Sequence, residues 1–83
     1  MKDLDYYMSL PYTMAIQYVK DEEGDYFYGR ILELPGANAM GSTRKEVCDN
    51  LWEVLELTLE VKLEFGDPIP MPINLQELQS ISQ

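Results

Sequence analysis

The stretch from Leu34 to Gly66 constrains this chain more than any other. It opens with a turn at Leu34-Pro35-Gly36 and crosses a short extended piece, Ala37–Met40. Thr43-x-x-Glu46 follows, the capping-box pattern in which the hydroxyl accepts from the backbone amide three residues on. From there a periodic apolar run continues to Gly66, a residue suited to the left-handed position that closes a helix, with Pro68 soon after as a stop. No other segment is periodic over a helix length. The chain must therefore fold as one long helix, about 33 Å at 1.5 Å per residue, with short extended elements packed against it.

On a helical wheel Val47, Leu51, Val54, Thr58, Val61 and Phe65 share one stripe, flanked by Cys48 and Leu55. This stripe predicts the core face. Asp49, Glu53, Glu56, Glu60 and Glu64 lie opposite. Trp52, Leu59 and Leu63 form a second apolar edge, about 120–160° round from Val47 at 100° per residue. A helix covering one sheet does not need that edge, so it is expected to meet the N-terminal turn, the C-terminal tail or another subunit.

The rest of the chain supplies the sheet. Tyr12–Lys20 alternates with period 2 in β-favouring residues, and Asp25–Leu34 does the same after the polar turn Asp21-Glu22-Glu23-Gly24. The two form an antiparallel hairpin. Gly29 stands mid-strand, where glycine marks a bulge or a close backbone approach. Ala37–Met40 is a third, short strand. Ahead of the hairpin, Asp3 caps one helical turn carrying Leu4, Tyr7 and Met8, ended by Leu10-Pro11. After the helix, Ile69-Pro70-Met71-Pro72 is held extended by its prolines and reads as an edge strand or strap. Asn74-x-x-Glu77 could cap one or two turns carrying Leu75, Leu78 and Ile81. The expected architecture is α+β in two layers: a small antiparallel three-stranded sheet on one long helix, with a short edge strand after it. Residues 1–72 make a single domain with a short lead-in, and 73–83 a tail.

Composition narrows the function. The 83 residues contain no histidine, one cysteine, 6 basic and 15 acidic residues, a net charge of −9. His-dependent catalysis, His–metal sites and internal disulfides are excluded. Phosphate-directed nucleic-acid binding lacks its lysines and arginines. A basic protein partner is permitted, since such a field steers association. No signal-peptide core or membrane-length apolar run is evident, which points to the cytoplasm. No nucleophile, base and oxyanion site assemble, so no catalytic residue and no cofactor are expected.

Several clusters carry a bland reading beside a functional one. Asp21, Glu22, Glu23 and Asp25 at the hairpin, with Glu33 at the strand end, are hard oxygen ligands of the kind Mg²⁺ takes; a hairpin tip is also where solvated charges belong. Cys48 sits in the first helical turn, where the dipole activates a thiol, but on the apolar side, where it is inert. The stripe Asp49, Glu53, Glu56, Glu60 is more telling. Its members follow at i+4, i+3 and i+4 without an interleaved cation, which costs a few tenths of a kcal/mol per pair. A face that accepts this repulsion is either simply solvated or a binding surface for a positive partner.

Leu34-Pro35-Gly36, then Gly41-x-Thr43, then Glu46-x-x-x-Asn50-x-x-Glu53 resemble the HicB-like antitoxins. So do the opening, Tyr6 to Thr13, and the close, Gly66-x-x-Ile69-Pro70-x-Pro72. The resemblance implies a degenerate RNase H-like fold and a non-catalytic protein. Such a protein binds and neutralises a small basic RNA-cleaving toxin of the HicA type. The charge pattern makes Asp49, Glu53, Glu56 and Glu60 the expected partner-binding face. The resemblance also implies a dimer or higher homo-oligomer, which gives Trp52, Leu59 and Leu63 a use as the interface. The alternative is an orphan HicB-like oligomeric domain that binds or regulates another protein. The chain departs from the family at three places. The usual cysteine after Leu-Pro-Gly is Ala37. The alanines common on the helix are Val47, Leu51 and Val54, which implies a wider helix–sheet spacing. Residues 73–83 are too short for a helix-turn-helix and have no Lys or Arg, so direct DNA binding is not expected.

Overall fold

A computed structural model describes residues 2–73. The expected Asn74–Glu77 cap and the apolar Leu75, Leu78 and Ile81 lie outside the described residues. The elements run α1 (Leu4–Met8), β1 (Met14–Asp21), β2 (Gly24–Ile31), β3 (Asn38–Gly41) and α2 (Arg44–Phe65). The sheet is a simple meander in the order β1-β2-β3, antiparallel throughout. This is the α+β, helix-on-sheet arrangement expected from the periodicities.

Local chemistry sets each boundary. The hairpin closes at Asp21 opposite Gly24, so the turn is the two residues Glu22 and Glu23, and Gly24 takes a φ of 143°. Thr43 Oγ1 accepts from the Glu46 amide at 3.1 Å, satisfying one of the orphan donors of the first turn. Gly66 sits in the left-handed region at φ 68°, and the Asp67 amide donates back to the Lys62 carbonyl at 2.8 Å. This ends α2 with a glycine cap, as read from the sequence.

Gly29 has a packing reason rather than a conformational one. A Cβ there would lie 2.6 Å from Val47 Cγ1 and 2.7 Å from Leu51 Cδ1. The helix rests its bulky residues on Gly29, a mid-strand position of β2 that has no side chain. Volume that alanines on the helix would have yielded is therefore yielded by the sheet instead. Arg44 begins α2 directly above β2, its guanidinium 5.6 Å from the Phe27 ring.

The core consists of Val47, Leu51, Leu55 and Leu59 from α2, with Ile31, Leu34 and Ala37 from the end of β2 and the turn after it. Two expectations are corrected here. The buried row continues through Leu55 and Leu59, leaving Val61 and Phe65 exposed at 46% and 71%. Leu59, expected on the outward edge with Trp52 and Leu63, has no exposed surface, so it offers nothing to another subunit. The cause is geometric. A 4-3-4-3 stripe runs nearly straight along a helix, whereas a row at constant i+4 is inclined to the axis. The first members of the row, Val47 and Leu51, meet Gly29 of β2, and α2 also packs against β3 and α1.

The segment after α2 is a strap rather than the expected edge strand. Among the described residues, 66–72 join no sheet. The Tyr12 hydroxyl instead donates to the Pro70 carbonyl at 2.8 Å, Ile69 packs on the core and Pro72 is buried. Pro70 and Pro72 have no amide to give to a ladder, so the strap is fixed by side chains.

Candidate interaction surfaces

Two outward surfaces of α2 emerge from this packing. The first is acidic. Asp49, Glu53, Glu56 and Glu60 are all exposed. Lys45 pairs with Asp49 at 2.8 Å, an exposed i,i+4 bridge. Among the described residues Glu53, Glu56 and Glu60 have no cationic partner. Three uncompensated carboxylates on successive turns keep a concentrated negative field in front of the helix.

The second surface is apolar, and the sequence reading did not single it out. Leu57, Val61 and Phe65 follow at i, i+4 and i+8 and are exposed at 65%, 46% and 71%. They border the acidic residues on the flank away from Trp52. A groove of about 300 Å³ lies along this row, lined by Leu57, Thr58, Val61, Lys62 and Asp67. Leu57 lies outside both apolar stripes expected from the helical wheel. Its constant i+4 spacing to Val61 and Phe65 is the signal that was available. On the other flank Trp52 is 47% exposed and Leu63 half-buried. The structure therefore separates Trp52 and Leu63 from Leu59.

Glu33 has a role that its place in an acidic cluster concealed. It is buried, and its carboxylate accepts from the Thr13 amide at 2.9 Å, the Thr13 hydroxyl at 3.0 Å and the Ile73 amide at 2.9 Å. One side chain thus joins the start of β1, the end of the hairpin and the strap. Burial alone raises its pKa, but the donors from Ile73 and Thr13 outweigh it, and the net shift is downward. Beside it, burial pushes the Tyr12 phenol up to about 12, helped by Tyr7, Glu33 and Tyr6. Glu33 is a clamp whose oxygens are already occupied.

The remaining candidates read as structure. Asp21, Glu22, Glu23 and Asp25 are exposed at the hairpin tip. Asp25 accepts from the Tyr18 hydroxyl, and that hydrogen bond raises the Tyr18 pKa. Cys48 is half-buried. Among the described residues no three His, Cys, Asp or Glu side chains converge as a metal site, and no helix is long and apolar enough to cross a membrane.

Asn50, part of the motif on which the resemblance rests, shows what such a residue does here. Its Nδ2 donates to the Met40 carbonyl at 3.1 Å, tying α2 to the outer edge of β3.

A family model described as UPF0150-like matches residues 13–70, from the start of β1 into the strap. A protein of Thermotoga maritima described as "UPF0150 protein" is 41% identical over 70 residues, covering 84% of this chain and 81% of the relative. No solved structure gives a significant match.

Proposed function

Because the chain belongs to the UPF0150-like family, we propose that it is a partner-binding protein of the HicB-like antitoxin kind. It is non-catalytic, and it binds and neutralises a small basic RNA-cleaving toxin of the HicA type. The observation that carries this reading is the outer face of α2. Glu53, Glu56 and Glu60 stand exposed and uncompensated beside the bare row Leu57, Val61 and Phe65. A basic partner with an apolar centre complements both: its cations meet the carboxylates, and its apolar side chains cover the row. The meander followed by a helix suits the degenerate RNase H-like fold that the HicB-like resemblance implies, with the helix turned to partner binding instead of chemistry.

The test is a binding titration against a small basic ribonuclease of the HicA type, with RNA cleavage as the second readout. The wild type binds and suppresses cleavage, and its affinity falls as salt rises. The double reversal Glu53→Lys/Glu56→Lys weakens binding at least tenfold, mostly through slower association. No binding by the wild type would sink the proposal, as would a reversal variant that binds equally well.

A further inference from the structure

The two free edges of the sheet are not alike. The alternation of an antiparallel ladder fixes which backbone groups point away from it. On the β3 side, the Ile31 amide donates to the Ala37 carbonyl at 3.0 Å. In the register that places Gly29 opposite Ala39, the outward residues of β3 are therefore Asn38 and Met40. The Met40 carbonyl is already taken by Asn50, which blunts this edge. On the β1 side, the Leu32 amide donates to the Thr13 carbonyl at 3.0 Å. With Ala15 opposite Arg30 and Gln17 opposite Tyr28, the outward residues of β1 are Met14, Ile16, Tyr18 and Lys20. Among the described residues nothing pairs with them. β1 has eight residues, no proline and no bulge, the kind of edge that soluble proteins otherwise protect.

We propose that this edge is an interface with a second copy of the chain, β1 pairing antiparallel with β1 about a two-fold axis at Gln17. The edge is complementary to itself. In this register Met14 faces Lys20 of the other copy and Ile16 faces Tyr18. All four outward residues are then used, at two hydrogen bonds for each facing pair. A shift by two residues leaves an outward residue without a counterpart. The side-chain pairing is favourable too. Ile16 against Tyr18 is a β-branched–aromatic pair of the kind that stabilises sheets. Lys20 does not meet Lys20, Asp21 faces Thr13, and the Glu22-Glu23 turn lies beyond the overlap opposite Pro11 and Tyr12. No carboxylate confronts another, which matters for a chain of net charge −9. Tyr18 is 52% exposed on the single copy, with its hydroxyl anchored by Asp25. α2 lies mainly over β2 and β3, so it leaves the β1 side of the sheet open. The result is a continuous six-stranded sheet with both acidic helices on one side.

Crosslinking of the full chain reads this register directly. Gln17 faces itself in a non-hydrogen-bonded pair, where Cα atoms stand about 4.5 Å apart, within disulfide reach. In a Cys48→Ser background, Gln17→Cys is expected to form a disulfide dimer on mild oxidation. Ala15→Cys and Val19→Cys should each fail alone yet crosslink to one another when mixed. Light scattering should give twice the chain mass of 9.6 kDa. Tyr18→Pro, which removes an amide that the hairpin does not use, should return the mass to one chain while β2–β3 amide protection persists. If Tyr18→Pro unfolds, the crosslinking pattern decides. A monomer at millimolar concentration would overturn the proposal. So would a dimer that crosslinks at none of these positions, or one that Leu57→Glu/Val61→Glu dissociates. Protection of the Ile16 and Tyr18 amides that does not depend on concentration would also overturn it, since a strand of the same chain would then occupy the edge.

Discussion

Two rows of apolar side chains run along α2 at the same i+4 spacing, and their fates are opposite. Val47, Leu51, Leu55 and Leu59 are buried, while Leu57, Val61 and Phe65 are exposed. Residue type does not separate them, since both rows are large aliphatics with at most one aromatic. What separates them is cover. The first row has Gly29 and Ile31 beneath it and α1 and the strap beside it. The second faces no described element. A helix of 22 residues in so small a domain has more apolar surface than its own sheet can cover. The surplus is where a partner gains most from desolvation, and the adjacent carboxylates limit which partners can approach.

The largest expected effect tests the contrast itself. Leu51→Ala removes buried volume against Gly29 and should cost about 3 kcal/mol, within the range for core leucines. Phe65→Ala removes a larger side chain and should cost less than about 0.5 kcal/mol, because that ring already lies in water. Urea denaturation of the two variants measures both. Equal losses would show that the second row is covered in solution.

Glu33 comes next, because the strap that it holds brings Ile69 onto the buried row. Glu33→Ala leaves the Thr13 and Ile73 donors without their acceptor and should cost about 3 kcal/mol, given about 1.5–3 kcal/mol for a hydrogen bond to a charged group. The pH dependence has a definite sign. The folded pKa lies below the ordinary 4.5. The clamp's contribution is therefore complete above 4.5 and is lost as pH falls through the lower folded value. Thermal denaturation should show the wild type weakening across that window, with Glu33→Gln flatter there. Exposure of the second row should not change.

Gly29→Ala probes the contact from the other side. The added methyl would enter the space of two side chains that are themselves fully buried, so they have little room to yield. Overpacking of this kind should cost about 2 kcal/mol. The variant should recover part of that loss when combined with Val47→Ala, and a double-mutant cycle measures the coupling.

How far the sequence disclosed this arrangement follows from which forces are local. The cap at Thr43, the stop at Gly66, the hairpin and the third strand were legible because each rests on chemistry within a few residues. The close approach at Gly29 was legible as one of two alternatives. The phase of the buried row was not, since a 4-3-4-3 stripe and an i+4 row share Val47 and Leu51 and diverge only beyond them. Which of the two is buried depends on where α1 and the strap lie, and those contacts are not local. Glu33 was hidden for the same reason. Its partners Thr13 and Ile73 are 20 and 40 residues away, so among neighbouring acids it looked like one more solvated charge.

The smallest effect on stability is expected at the row itself. Leu57→Gln and Val61→Gln exchange exposed apolar surface for polar surface and should leave the denaturation midpoint within about 0.5 kcal/mol of wild type. Their value lies in what they separate. Charge reversal at Glu53 and Glu56 changes how fast a basic partner arrives, whereas loss of the apolar row changes how long it stays. The glutamine pair should therefore raise the dissociation rate several-fold with little change in association, measured by surface plasmon resonance against the basic ribonuclease. If dissociation is unchanged while stability also holds, the row lies outside the contact and the acidic face alone meets the partner. If stability falls as it does for Leu51→Ala, the two rows are not different in kind, and the exposed flank of α2 is already covered within the folded chain.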